Sequence, residues 1–238
     1  ENWKNIIRLS YAASFGTNEW EYTPEQEANC KRLIQLFDGV SVREESGIEL
    51  CQKYFGIKAI NVLDPTMLIS KDDYMKLVVE SDVPKSPGNL LNYILDETPD
   101  KLKLQKILIL EKGLTPFRVN GKPEGGYPMN ERIQPPIESW LKGFYDAKFV
   151  ITDSFHACVF SIIFNKPFIA YANKQRGYAR FQSLLKMFGL ENRLIYKIED
   201  YDRITDDIDW SRVNKVMRQK QIDAIRFLND SLSIKKSN

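Results

Sequence analysis

The sequence predicts an α/β protein, with mostly parallel sheets covered by helices on both faces. Three observations carry that expectation. Short apolar runs of strand length alternate with stretches of helical periodicity along most of the chain. Helix start and stop signals, such as Thr23-Pro24 and Gly56, fall between them. The composition, 43% hydrophobic and 28% charged over 238 residues, is that of a folded globular chain long enough for one to two domains.

Asn5 to Tyr11 reads as a strand, with Ile6, Ile7 and Leu9 running into the small-residue stretch Ala12-Ala13-Ser14-Phe15-Gly16. Thr23-Pro24-Glu25 opens a helix whose apolar face is Cys30, Leu33, Ile34 and Phe37, and which ends near Asp38-Gly39. Gly39 to Arg43 is a second strand and Glu45 to Phe55 a second helix, closed by Gly56. Ala59 to Leu63 is a third strand, stopped by Asp64-Pro65. Lys71 to Pro99 is mixed, with turn formers at Pro84, Pro87 and Gly88, which places a domain boundary near residue 80 and splits the chain into 1–80 and 81–238.

The second part resumes with Ile107-Leu108-Ile109-Leu110, read as a strand. Gly113 to Pro136 holds too many glycines and prolines for a regular element and reads as a long loop. A helix with Ile137, Trp140, Leu141 and Phe144 inward follows, then the strand Phe149-Val150-Ile151, the helix Ser154 to Phe164 and the strand Pro167 to Tyr171. The tail from Asp209, a candidate N-cap, to Leu232 sets Val213, Met217, Ala224, Leu228 and Leu232 at helical spacing, a long amphipathic helix.

Several function classes drop out. Thirty-four Lys+Arg against 32 Asp+Glu leave a net charge of +2, too little for the field of a dedicated nucleic-acid binder. The longest apolar run, Ala157 to Phe164, is far short of the roughly 18 residues a membrane span needs. Cys30, Cys51 and Cys158 are odd in number and form no CxxC pair, which fits thiols of a reducing cytoplasm and argues against a metal cluster. Neither a Walker loop nor a GxGxxG fingerprint is present, so nucleotide-hydrolysing and nicotinamide-dependent enzymes are disfavoured.

In open α/β sheets the ligand lies beyond the carboxyl ends of the strands, where helix N-termini offer N–H groups and partial positive charge. Val150-Ile151-Thr152-Asp153-Ser154-Phe155-His156 has that form, and His156, the sole histidine, falls in the first helical turn. A helix N-terminus disfavours imidazolium, so the ring is placed to accept or relay a proton. The plainer alternative is that Asp153 or Ser154 caps the helix and the histidine does nothing further. From Ser154 through Leu190 there is no Asp or Glu, while Lys166, Lys174, Arg176, Arg180 and Lys186 are cationic. Three of these follow the strand ending at Tyr171, in a connection expected to converge with His156. Arg43 stands where another strand hands over to a helix, placed either to grip an anion or to pair with Glu44 or Glu45. Asp64-Pro65-Thr66 reads as a turn.

Four linked segments, residues 9–16, 40–47 (Val-Ser-Val-Arg-Glu-Glu-Ser-Gly), 62–66 (Val-Leu-Asp-Pro-Thr) and 152–160 (Thr-Asp-Ser-Phe-His-Ala-Cys-Val-Phe), resemble the polysaccharide pyruvyl transferase family in order and spacing. Asn165-Lys166-Pro167-Phe168-Ile169, Arg176-Gly177 and Arg180-Phe181 extend the resemblance over nearly the whole chain. It implies a fold similar to glycosyltransferase type B, with two Rossmann-like domains, of which 1–80 is the end of the first. It implies a cytoplasmic transferase that moves a pyruvyl group from phosphoenolpyruvate to sugar hydroxyls in capsule or other surface polysaccharide, with no cofactor and no metal. His156 is then the catalytic residue, and Ser14, Arg43, Ser154, Lys174, Arg176 and Arg180 bind substrate. The resemblance departs at Ser154, where Arg is common, and at Ala157, where Gly is common; either Arg176 or Arg180 supplies the missing charge or this branch uses another donor. A nucleotide-sugar glycosyltransferase and a non-catalytic binder of anions or glycans are the competing readings of the same fold.

Overall fold

The structure is a computed structural model that describes residues 6–121, 128–172, 177–204 and 207–233. In chain order the elements are β1 (Leu9–Ala13), α1 (Pro24–Ile34), β2 (Gly39–Val42), α2 (Glu45–Leu50), β3 (Ile60–Asn61), α3 (Lys71–Val79), β4 (Leu90–Tyr93), α4 (Pro99–Lys112), β5 (Pro116–Phe117), α5 (Met129–Arg132), α6 (Ile137–Asp146), β6 (Phe149–Thr152), α7 (Phe155–Ile163), β7 (Phe168–Tyr171), α8 (Tyr178–Phe188), β8 (Leu194–Ile195) and α9 (Trp210–Leu232). All described strand pairs are parallel, in a sheet of order β1-β2-β3 and another of order β5-β4-β6-β7-β8. The α/β class read from the alternation is therefore the class of the protein.

The described chain divides into two compact units. The first takes residues 6–68, 177–189 and 211–233, and the second 69–172, 190–204 and 207–210. The changeover after Leu68 differs from a boundary near residue 80 because α3 packs with the second unit: the Tyr74 ring meets Phe160 edge-on at 5.0 Å. Residues 177–189 and 211–233, beyond residue 80 in sequence, also belong to the first unit.

In the first unit α1 starts where a capping box predicts: Thr23 Oγ1 accepts from Gln26 N, and Gln26 Oε1 accepts from Thr23 N. Val40, Val42, Cys51 and Phe55 form one cluster, with Cys30 and Ile34 of α1 against it, while Ala12, Val62 and Ala224 of α9 form another. Leu33 and Phe37, read as inward, stay exposed. On α9, Val213, Met217 and Ala224 are buried as the spacing predicts, Leu228 is half-buried, and Leu232 is exposed. The pairing of β1 with β2 slips between Ser10 and Ala13, where Ala12 takes a positive φ of 51°. Ser41 repairs the gap: its Oγ accepts from Ala12 N at 3.0 Å and donates to Ser10 O at 3.0 Å. This bulge sets the direction in which β1 leaves the sheet.

In the second unit, β4 connects through α4 to β5 on one side, whereas β6 connects through α7 to β7 on the other. The strand order thus reverses between β4 and β6, the topological switch point at which ligands bind in open parallel sheets. Leu90, Ile151, Ile169 and Ile195 share a cluster with Leu104 and Leu108 of α4. A second aromatic cluster joins Tyr93, Trp140, Phe144 and Phe160.

Ile107 to Leu110 is not a strand. Thr98 caps α4 by accepting from Lys101 N, Gly113 closes it in a left-handed conformation, and Leu104 and Leu108 are buried one turn apart while Leu110 is 83% exposed. A four-residue apolar run cannot by itself separate a strand from one stretch of a helix. The strand of this region is β4, inside the segment read as mixed. Among the described residues of the breaker-rich 113–136 stand two short elements, β5 and α5.

Candidate functional site

Two strand ends carry the candidate chemistry, one in each unit. In the first, β2 ends at Val42 and its next two residues diverge. The Arg43 guanidinium donates to Asp64 Oδ2 at 2.8 Å, with the two side chains 19% and 2% exposed. Asp64 is also held by Thr66, whose N–H and hydroxyl donate to Oδ1 at 3.1 and 2.8 Å. Arg43 thus pairs with Asp64, and the Asp64-Pro65-Thr66 turn orients the guanidinium rather than merely ending β3. Glu45 pairs instead with Lys186 Nζ at 2.6 Å, and its N–H donates to Ser183 Oγ at 3.0 Å.

Glu44 is fully buried, and one of its oxygens collects three donors: Ser14 Oγ at 3.0 Å, Phe15 N at 2.5 Å and Gly16 N at 2.9 Å. Its other oxygen has no hydrogen-bond partner. A carboxylate at this depth is costly unless cations neighbour it, and Arg180 supplies one. Burial first, and then the Arg43 guanidinium, lower the Arg180 pKa, whereas Glu44 raises it. Ser14, Arg43, Glu44 and Arg180 therefore form one electrostatic cluster at the carboxyl end of the first sheet. Within that cluster Asp64 and Glu44 set two carboxylates against the two guanidiniums.

Arg180 lies in the first turn of α8 rather than in a loop as read from the sequence, and its N–H donates to Gly177 O at 3.1 Å. Gly177 has φ +62°, a left-handed conformation that favours glycine, and the Arg180 guanidinium folds back against it. Arg180 lines a cavity of about 450 Å³ with the 15–19 loop, Glu21 and residues 177–179. Lys174 and Arg176 lie outside the described residues.

In the second unit, Thr152, at the end of β6, donates from Oγ1 to Tyr93 O at 2.7 Å and accepts from Ser154 N at 2.9 Å. Ser154 is the N-cap of α7, with no side-chain cap bond. Asp153 does not cap α7. It reaches across the switch point, accepting from Leu95 N at 2.7 Å, Asp96 N at 3.0 Å and Lys101 Nζ at 2.7 Å. Lys101 and Asp153 are almost wholly buried, at 4% and 2% exposed side chain, so this pair ties the β4 and β6 ends together. His156 follows in the first turn of α7 with its side chain exposed, while Phe155, Ala157 and Cys158 around it are buried. The ring stands edge-on to Phe155 at 5.4 Å. The arrangement presents one imidazole to solvent at a helix N-terminus on a rigid base, the geometry a proton-transferring group needs.

The structure thus gathers Ser14, Arg43 and Arg180 in the first unit, and Ser154 and His156 in the second. Glu44, Lys101 and Asp153 hold these groups in place, and the sequence reading assigned none of them that work. The Arg-Glu-Glu run does not say which carboxylate turns inward, and Lys101 stood in a segment with no legible element. Among the described residues no group of three or more His, Cys, Asp or Glu side chains could hold a metal ion, and no helix is long and apolar enough to cross a membrane.

The sequence profile of the family described as polysaccharide pyruvyl transferase matches residues 3–175. No curated protein sequence matches the chain. Among solved structures, the chain is similar to the wall teichoic acid polymerase TagF at 13% identity and a TM-score of 0.42, covering 99% of this chain and 62% of that one. It is also similar to UDP-N-acetylglucosamine 2-epimerase from Rickettsia bellii, at 14% identity and a TM-score of 0.49, covering 96% and 68% respectively. The chain spans less than two thirds of the length of the teichoic acid polymerase.

Proposed function

Because the chain belongs to the polysaccharide pyruvyl transferase family, we propose that it transfers the pyruvyl group of phosphoenolpyruvate to two hydroxyls of a saccharide. The observation that carries this reading is the cavity that Arg180 lines in the first unit, where Arg43 is held by Asp64 at the carboxyl end of the sheet. Phosphoenolpyruvate presents a carboxylate and a phosphate on adjacent groups, and guanidiniums bind both in planar, charge-assisted fashion. Ser14, Ser154, Lys174 and Arg176 are further substrate-binding candidates in this reading.

The reaction balances without a redox partner. A sugar hydroxyl adds to C2 of the donor while C3 takes a proton and becomes a methyl group. The C2–O bond to phosphate then breaks, and a second hydroxyl closes the ketal. The two hydroxyl protons end on C3 and on the departing phosphate. The reading assigns proton transfer to His156. The arginines hold the phosphate as its charge grows. The reading places the enzyme in the cytoplasm, where phosphoenolpyruvate is formed, acting on precursors of surface polysaccharide. Thermal denaturation of the full chain tests the donor class: phosphoenolpyruvate is expected to raise the melting temperature, and the nucleotide sugar UDP-glucose is not. Stabilisation by the nucleotide sugar alone overturns the reading in favour of a glycosyltransferase.

A further inference from the structure

Resting on that reading, we propose that the cavity lined by Arg180 in the first unit is the acceptor subsite, where Asn18, Glu19 and Glu21 recognise the hydroxyls of an uncharged hexose. Its volume of about 450 Å³ lies within the range of small-molecule sites and has room for a sugar of one or two rings. Its walls differ in sign. Arg180 stands on one, while Glu19 and Glu21 contribute carboxylates on the loop that faces it in the lining. A polyanion filling the whole space would meet both carboxylates, which disfavours a nucleotide diphosphate there. A neutral polyol meets no such penalty: its hydroxyls donate to the carboxylates, and Asn18 offers both a donor and an acceptor. Phe15 and Tyr178 also stand in the lining.

The loop that carries these groups is anchored along its length, as a recognition surface has to be. Glu44 holds Ser14, Phe15 and Gly16. Glu19 N donates to Thr17 Oγ1 at 3.0 Å. The capping box at Thr23 fixes the far end. The change of sign from Arg180 to the two carboxylates matches a reaction between an anionic donor and an uncharged acceptor.

Saturation-transfer NMR on the full chain with the methyl glycosides of galactose, glucose and mannose tests the assignment. Glu19 and Glu21 are exposed, so the double variant Glu19→Gln/Glu21→Gln keeps the fold, which its melting temperature verifies. At least one glycoside is expected to bind the native chain in the presence of phosphoenolpyruvate, and to bind the double variant at least five-fold more weakly. Equal or tighter binding by the variant overturns the proposal, as does the failure of all three glycosides to bind the native chain. Donor binding is read separately from the phosphoenolpyruvate-induced melting shift. Glycoside binding that depends on the two carboxylates, without any donor effect, supports the subsite and removes the transfer reading; the converse removes the subsite alone.

Discussion

Replacing Asp153 by Asn tests whether the buried pair at the switch point holds the second unit together. Lys101 Nζ lies 2.7 Å from Asp153 Oδ2 and 2.6 Å from Asp96 O, with its side chain 4% exposed. Asn keeps an acceptor for only one of the Leu95 and Asp96 N–H groups, which donate to different oxygens of Asp153, and strands the ammonium without its counter-charge. Breaking a buried pair from one side costs about 3–5 kcal/mol. With a urea dependence of about 2 kcal/mol per molar, a loss of about 3 kcal/mol lowers the unfolding midpoint by about 1.5 M. Lys101→Met is expected to cost less, since the carboxylate it leaves behind keeps two backbone donors. The double variant leaves neither charge stranded, so its loss should fall short of the sum of the single losses by about 1 kcal/mol or more. Urea titrations followed by tryptophan fluorescence give all three values, Trp140 lying in the second unit. A midpoint for Asp153→Asn within about 0.3 M of the native chain, or strict additivity in the double variant, would refute the reasoning.

Replacing His156 by Ala should leave the melting temperature unchanged, because the side chain is exposed, while lowering kcat by about 100- to 10,000-fold; near-native turnover removes the proton-transfer role. Glu44→Ala deprives Ser14, Phe15 and Gly16 of their acceptor and should cost about 1–3 kcal/mol, with faster amide exchange at Phe15 and Gly16 as the local signature. Burial first, then Asp64, pushes the Tyr11 pKa up to about 12, and burial first, then the hydrogen bond to Asp100, does the same for Tyr171. The fold therefore favours the neutral phenols over a value of about 10 in the unfolded chain. Their contribution is complete below about pH 10 and is lost as pH rises through 12. Phenolate absorbance should show the two groups ionising late in the native chain, and a titration at the ordinary tyrosine value would contradict this.

The legible parts of the fold were those with local punctuation. Thr23-Pro24, Gly56 and the two-residue hand-over at Ser154 mark helix ends by chemistry that acts within one turn, and these ends stand where the sequence puts them. Ile107 to Leu110 failed because its helical character lies in the burial of Leu104 and Leu108 against β4, which is a tertiary property. The Asp64 partner of Arg43 and the Lys101 partner of Asp153 were hidden for the same reason: each pair spans a sheet edge and tens of residues. The position of His156 at the start of the helix after β6 was legible because it follows from the alternation, whereas Arg180, read in the connection after β7, stands in the first turn of α8. Sequence reasoning missed the buried groups beneath them, whose role depends on which of two adjacent carboxylates turns inward.

The central claim is transfer of the three-carbon unit itself. Phosphoenolpyruvate labelled with carbon-13 at C2, incubated with the full chain and a saccharide acceptor, should yield a sugar-bound ketal carbon in the NMR spectrum together with one phosphate per ketal. Phosphate release without label on the sugar, or consumption of a nucleotide sugar in place of phosphoenolpyruvate, would contradict the account.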